Sequence, residues 1–141
     1  MQTNENQYTL EAIGFIRSSL IHLEDAPRQG EEGAPDAWLD LLPALSEACT
    51  GIQVGDELIV LTWLHRSDRT VLQVHPRGNI HAPLTGVFAT RSPDRPNPVG
   101  LHQVSVLEIV GHSLRIAPIE AIDGTPIVDL KPVWPGQGTK R

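Results

Sequence analysis

A small antiparallel β-barrel with one short helix, in a single mainly β domain, is the fold class this sequence predicts. Three observations lead there. Seven or eight short segments carry the alternating or continuous apolar pattern of strands. Turn residues separate these segments at intervals of about 8–12 residues. No strand alternates with a helix-length segment and no Gly-x-Gly-x-x-Gly stretch occurs, which excludes a doubly wound nucleotide-binding sheet. At 141 residues the chain is one domain, large enough to bury a core. Residues 1–7 are expected to be disordered, 8–133 to form the barrel and 134–141 to be a flexible tail.

Residues 8–17 place Tyr8, Leu10, Ala12, Ile13 and Phe15 in near-alternation and predict a strand interrupted at Gly14. Residues 18–33, with Pro27, Gly30, Gly33 and four carboxylates, predict an exposed loop. Residues 37–42 read as a short strand, after which Pro43 suits the first position of a helix over 43–49 that stops at Gly51. A single helix over 36–50 is the alternative, but it puts Pro43 in a helix interior at a cost of about 3 kcal/mol. The apolar run 58–64 predicts a buried strand and 70–74 a second one, with His65-Arg66-Ser67-Asp68-Arg69 as a polar connection. Pro76-Arg77-Gly78-Asn79 is a loop and 86–90 a short strand. Residues 101–110 and 113–117 predict a hairpin about Gly111-His112. Asp123-Gly124 marks a tight turn before a last strand over 125–130.

The net charge of −6 is unevenly distributed. Residues 1–57 carry 11 acidic and 2 basic side chains, whereas residues 58–141 carry 6 acidic and 9 basic ones. Bulk acidity excludes a protein that coats nucleic acid non-specifically. The arginines at 66, 69, 77, 91 and 95 form a local basic region that suits a phosphate-bearing partner, or an ordinary solvated surface. Cys49 is the only cysteine, so no internal disulfide exists, and the chain fits a reducing compartment. No basic-then-apolar leader opens the chain, and the run 58–64 is about a third of a membrane span. A cytoplasmic location without membrane association is therefore expected. His65, His75 and His81 lack metal-ligand spacing, and no metal centre is expected, although hairpins can bring distant histidines together.

Between two predicted strands lies Arg91-Ser92-Pro93-Asp94-Arg95-Pro96-Asn97-Pro98-Val99-Gly100. Its three prolines fix their own φ and hold Ser92, Arg95 and Asn97 extended, so the loop is stiff. Polyproline geometry repeats every three residues, which sets Arg91, Asp94 and Asn97 on one side and Ser92, Arg95 and Pro98 on another. Such stiffness suits a ligand-docking loop, since ordering a floppy one costs roughly 1–2 kcal/mol per residue. A rigid turn with exposed arginines is the simpler reading. The polar residues that strand patterning leaves unexplained are Arg28, Gln29, His65, Arg66, Arg91, Ser92, Arg95, Asn97, Asp123, Thr125, Asp129 and Lys131. Most sit at strand ends, which in a small barrel can gather at one mouth. Asp129 and Lys131, two apart on a strand, share a face as a surface ion pair or as part of a site.

The stretch Gly86-Val87-Phe88-Ala89-Thr90-Arg91-Ser92-Pro93-Asp94-Arg95-Pro96-Asn97-Pro98-Val99-Gly100-Leu101 resembles the signature of the TrmO (YaeB, TsaA-like, VirR-related) family of S-adenosylmethionine-dependent tRNA methyltransferases. Pro27-Arg28-Gln29, His65 after Trp63-Leu64, and Asp123-Gly124-Thr125-Pro126-Ile127-Val128-Asp129-Leu130-Lys131-Pro132 agree in order and spacing, so the likeness spans residues 8–133. The resemblance implies a homodimeric β-barrel whose cofactor, S-adenosyl-L-methionine, is held by loops near the subunit interface. It implies methyl transfer to N6 of N6-threonylcarbamoyladenosine beside the tRNA anticodon. A binding module on the same barrel, regulatory or acting on a small molecule, is the other reading.

Carried over by position, the cofactor contacts are Pro27, Arg28, Gln29, His65, Arg66, Arg91, Leu101, Asp123, Gly124, Thr125 and Pro126. Asp129, Lys131, Arg95 and Asn97 fall at the positions for catalysis or substrate contact, with Asp129 as the candidate base. Asp94 departs from the apolar or aromatic residue of many relatives and is expected to neutralise Arg95. Val133 departs from an aromatic, with Trp134 next to it. The extra C-terminal domain of longer relatives is expected to be lacking.

Overall fold

A computed structural model of the chain describes residues 5–27 and 33–134. The expectations for residues 1–4, for Arg28 and Gln29 and for 135–141 lie outside the described residues. Among the described residues eight strands follow one another: β1 Gly14–Arg17, β2 Ala37–Leu41, β3 Glu57–Trp63, β4 Gln73–Val74, β5 Thr85–Gly86, β6 Val99–Val110, β7 Ser113–Ala117 and β8 Pro126–Pro132. Six of them pair in the order β1-β2-β7-β6-β3-β8, and β8 pairs back onto β1 to close the barrel. Every pairing is antiparallel. Strands β4 and β5 form a separate two-stranded ladder on the excursion between β3 and β6.

Strand alternation decides what faces inward. On β3, Leu58, Val60 and Thr62 are buried while Ile59, Leu61 and Trp63 face out; on β6, Gly100, His102, Val104 and Val106 are buried. The hydrophobic cluster inside is aliphatic, with Ile16, Leu39, Leu41, Val60, Val104, Leu114, Ile116 and Ile127 among its members, and Thr62, His102 and Thr125 are buried polar residues beside it. Branched side chains of moderate volume fill a six-stranded interior, and the aromatic rings stay outside it. Residues 118–125 fold across one end, burying Ile119, Ala121 and Ile122 against the core.

Five local expectations are corrected, the first being the strand expected over 70–74, which is confined to β4. Residues 8–13 are extended but unpaired except at Ile13, whose N–H donates to Ile127, so β1 begins only at Gly14. The segment 43–49 is a 3-10 helix and not an α-helix, with Pro43 at its start and none of its residues buried. It lacks an apolar stripe wide enough to hold a longer helix against the barrel. Residues 87–89, expected in a strand, also form a 3-10 turn, with Val87 buried and Phe88 turned out. The last strand runs past Leu130 to Pro132, and Val133 continues the pairing with an N–H to Glu57.

Gly14 explains the tight β1–β2 junction. A Cβ there would lie 2.4 Å from the Asp40 carbonyl oxygen and 2.8 Å from the Leu41 Cα, both rigid backbone atoms. Gly14→Ala is expected to destabilise the fold by about 2–3 kcal/mol, read as a lowered denaturation midpoint with an unchanged slope. A midpoint equal to that of the parent would show that β1 can move away at no cost.

Candidate functional site

Register places the site. Trp63 at the end of β3 pairs with Val99 at the start of β6, and Thr62 pairs with Ile127 at the start of β8. Phe15, near the end of β1, pairs with Pro126. Arg17 pairs with Trp38 near the start of β2, and Ala37 with Ile116 near the end of β7. The connections 18–36, 64–98 and 118–125 therefore leave the barrel from one rim. The segments bearing Pro27, His65, Arg66, Arg91, Arg95, Asn97, Asp123, Gly124 and Thr125 all belong to these connections.

Within the rim the proline loop is buttressed by the connection after β3. The Leu64 N–H donates to Pro98 (2.8 Å) and the Asp68 N–H to the Asp94 carboxylate (2.8 Å). Arg69 donates from Nε to the Pro96 carbonyl (2.7 Å) and from Nη2 to Asn97 Oδ1 (3.0 Å), with its guanidinium 5.1 Å from the Trp63 ring centre. Arg95 turns the other way. Its Nε donates to the Ser92 carbonyl (2.9 Å) and its Nη2 to the carbonyls of Thr90 (2.7 Å) and Val87. Asp94 thus serves the Asp68 amide and does not neutralise Arg95. Burial follows the three-residue repeat only in part: Pro98 is buried and Arg91 and Asn97 are exposed, but Asp94 is half-buried like Ser92 and Arg95.

The Asp123-Gly124 turn is fastened to the chain leaving β1. Asp123 donates its N–H to Leu20 (2.7 Å) and accepts the Ser18 N–H at Oδ1 (3.0 Å), and the Gly124 N–H donates to Ile16 (2.7 Å). Gly124 adopts φ 83°, which suits a residue without a Cβ. Thr125 is buried, its hydroxyl donating to Ile122 (2.7 Å), so it shapes the turn from inside. His65, Arg66 and Arg91 are exposed, and Pro27 is half-buried.

Leu101, Asp129 and Lys131 stand apart from the rim, on the outer faces of their strands. Leu101 pairs with Leu61 and Leu61 with Asp129, making one row across three strands, while Lys131 lies further along β8 opposite Ile59. Asp129 and Lys131 approach within 3.5 Å with both side chains largely in solvent. A cleft of about 770 Å³ opens between residues 6–12 and the outer rim, lined there by Trp63, Arg69, Asn97, Val99, Pro126 and Val128. Among the described residues no three His, Cys, Asp or Glu side chains gather as a metal site, and no helix is long and apolar enough to cross a membrane.

Arg69, Trp63 and the segment 6–12 escaped the sequence reading. The near-alternation of 8–13 suggested a paired strand, and Arg69 looked like one more basic surface residue. Its position four residues before β4 carries no signal for a stack on Trp63.

The Thr70 hydroxyl, and then its N–H, donate to the Asp68 carboxylate (2.6 and 2.8 Å) and hold its pKa below the usual carboxylate value. A depressed carboxylate pKa stabilises the fold above the unfolded-state value, and this is lost as pH falls through the lowered folded-state value. Thr70→Val is therefore expected to raise the Asp68 pKa toward normal in a carbon-detected NMR titration; an unmoved curve would remove Thr70 as the cause. Arg69→Ala should cost about 1–2 kcal/mol of stability and speed amide exchange in the proline loop. Unchanged exchange there would show that the prolines alone hold it.

Comparison with known proteins adds the following. Residues 15–137 match the family model described as the tRNA-methyltransferase O N-terminal domain. A probable S-adenosyl-L-methionine-binding protein of Methanothermobacter thermautotrophicus is 37% identical over 131 residues, covering 93% of each chain. An S-adenosyl-L-methionine-binding protein of Archaeoglobus fulgidus is 35% identical over 126 residues, covering 89% of each. A crystal structure of TrmO superposes with a TM-score of 0.74 at 29% identity, over 99% of this chain. TrmO from Pseudomonas aeruginosa gives 0.73 at 29% identity, over 96% of this chain. The chain spans only 62% and 61% of those two TrmO chains.

Proposed function

Since the chain belongs to the tRNA-methyltransferase O N-terminal domain family, we propose that it binds S-adenosyl-L-methionine and acts as a methyltransferase. The observation that carries this reading is the single rim on which the family-matched segments 64–98 and 118–125 emerge together. The donor set fits the cofactor. Exposed Arg66 and Arg91 suit its carboxylate, the exposed Asp123 carboxylate suits ribose hydroxyls or the sulfonium charge, and Leu101 offers an apolar contact. Pro27 and His65 on the same connections are further contacts in this reading, and Arg28 and Gln29 join them by family position alone. Bound there, the cofactor supplies an electrophilic methyl group.

The acceptor we propose is N6 of N6-threonylcarbamoyladenosine in tRNA. An acylated nitrogen is a weak nucleophile while it keeps its proton, so a base must take that proton as the new N–C bond forms. Asp129, on the outer face of β8 opposite Leu61, is the carboxylate we assign to this role, with Lys131 3.5 Å away to orient it. Asn97 gives its Oδ1 to Arg69 and keeps its NH2 for the carbamoyl oxygen or the base. Arg95, whose N–H groups go to three loop carbonyls, positions the loop instead of touching the acceptor. Most of the rate enhancement then comes from alignment of acceptor and methyl group.

Two further properties belong to this reading. The excursion between β3 and β6 exposes Leu72 (66%), Ile80 (75%) and Phe88 (82%), an apolar surface suited to a second copy of the chain as a homodimer. The lone cysteine suits the cytoplasm, where tRNA is found. A binding module on the same barrel, regulatory or methylating a small molecule, is the second reading, favoured by relatives whose names record S-adenosyl-L-methionine binding alone.

Calorimetric titration with S-adenosylmethionine tests both readings at once, and absence of binding defeats both. Nucleoside mass spectrometry of tRNA from a deletion strain separates them: unchanged methylated threonylcarbamoyladenosine sinks the transferase. Asp129→Asn is expected to lower kcat by about 10²–10⁴-fold with cofactor affinity within about twofold of the parent; near-normal turnover would remove Asp129 as the base. Phe88→Glu should shift sedimentation toward the monomer, and an unshifted boundary would move the dimer contact elsewhere.

A further inference from the structure

Inside the barrel, directly beneath the rim, three polar side chains form a line. His102 on β6 is 4% exposed. Its Nδ1 lies 2.7 Å from Glu120 Oε1, and its Nε2 lies 2.7 Å from the hydroxyl of Thr62 on β3. Thr62 is fully buried, so it is no nucleophile. Glu120 sits in the segment 118–125 that closes the barrel end, its side chain 20% exposed. No buried side-chain polar atom among the described residues lacks a partner, so the line is fully satisfied.

The line is costly to build. Burying Thr62 and His102 and covering most of Glu120 gains less than filling the same volume with Val and Leu. It also constrains the backbone above it. Gly100 pairs with Thr62, and a Cβ on Gly100 would lie 2.4 Å from Thr62 Oγ1 and 2.7 Å from His102 Nε2. The glycine that closes the proline-loop motif is thus required by the hydrogen bond beneath it. Each of the three members belongs to a different chain segment of the site. Thr62 precedes Trp63 and the 64–70 connection, His102 follows Gly100 and Leu101, and Glu120 precedes the Asp123-Gly124 turn.

We propose that Thr62, His102 and Glu120 are positioning residues for the rim: one buried relay sets the separation of the three segments that form it. Glu120 accepts from His102 Nδ1–H, which fixes the ring tautomer and orientation and leaves Nε2 to accept the Thr62 hydroxyl proton. The ring then acts as a spacer of fixed length between the 118–125 segment and the β3–β6 junction. Apolar side chains of equal volume would fill the space but would let the segments slide. That the rim is the S-adenosylmethionine site rests on the reading proposed above; the spacer role itself does not.

The test compares Glu120→Ala with Glu120→Gln in the full chain. Gln keeps an oxygen acceptor for Nδ1–H, so rescue by Gln separates hydrogen-bond positioning from charge and from bulk. In hydrogen exchange followed by NMR, Glu120→Ala is expected to speed the Leu64 and Asp68 amides by about tenfold, leaving the β2–β7 amides at parent rates, while Glu120→Gln stays within about threefold of the parent. Calorimetry with S-adenosylmethionine should show Kd raised by about tenfold in Glu120→Ala and nearly restored in Glu120→Gln. Parent-like exchange in Glu120→Ala, or acceleration spread evenly over all strands, would overturn the relay as a positioning device. A parent chain that binds no S-adenosylmethionine would overturn the cofactor reading and leave the exchange comparison to decide the relay. If Glu120→Ala does not fold, Thr62→Val takes its place, with the same two amides expected to speed and the same results overturning the proposal.

Discussion

Strand β3 hydrogen-bonds to β6 along one edge and to β8 along the other, and everything at the rim depends on that double pairing. Antiparallel register is unforgiving: a slip of one residue would turn Leu58, Val60 and Thr62 outward and Ile59, Leu61 and Trp63 into the core. The aliphatic interior therefore locks the register, and the register dictates where the chain leaves the barrel. Because Trp63 meets Val99 and Thr62 meets Ile127, connections separated by tens of residues in sequence emerge side by side. The site is in this sense a consequence of core packing, and its residues need no direct attraction to one another to be gathered.

What the register cannot do is shape the loops once they have emerged. Here two arginines divide the work. Arg95 ties the proline loop to its own preceding turn through the carbonyls of Val87, Thr90 and Ser92. Arg69 ties it to the neighbouring connection through Pro96 and Asn97. A guanidinium presents several donors in a rigid plane, so one side chain can hold several carbonyls at once, which a lysine ammonium does less well. The three prolines lower the entropy lost on ordering, and the arginines supply the direction in which the stiff loop points. Arg91, left exposed between these anchors, is the motif arginine available to a ligand.

Much of this was legible in the sequence, and the misses have identifiable causes. The continuous apolar run 58–64 and the long segment 101–110 revealed the two strands that carry the site, because turn residues bound each of them. The three-residue repeat of the proline loop put the exposed Arg91 and Asn97 together but misplaced Asp94, which is half-buried like Ser92 and Arg95 because it accepts the Asp68 amide. Residues 87–89 misled because Val87-Phe88-Ala89 has strand composition, while its conformation is set from a distance by Arg95 collecting carbonyls. Arg69 was missed for the same reason: its partners Trp63 and Asn97 are fixed by tertiary register, which no local pattern records. Asp129 and Lys131 were rightly placed on one face, yet they stand outside the rim on β8, with the pair exposed.

Gly100 shows how inside and outside are coupled in one short stretch. Val99 and Leu101 point outward beside the cleft and the Leu61–Asp129 row, while Gly100 and His102 point inward. Alternation forces this division, so any change in how Gly100 sits over Thr62 and His102 must displace Val99 and Leu101 on the outer face. A side chain at position 100 has no room, since two hydrogen-bonded polar atoms already occupy the space its Cβ would take. An apolar core could have accepted an alanine there by repacking, because small aliphatic volumes redistribute at modest cost. A directional hydrogen bond at 2.7 Å does not redistribute. The buried polar line therefore makes the outer surface of β6 less adjustable than packing alone would.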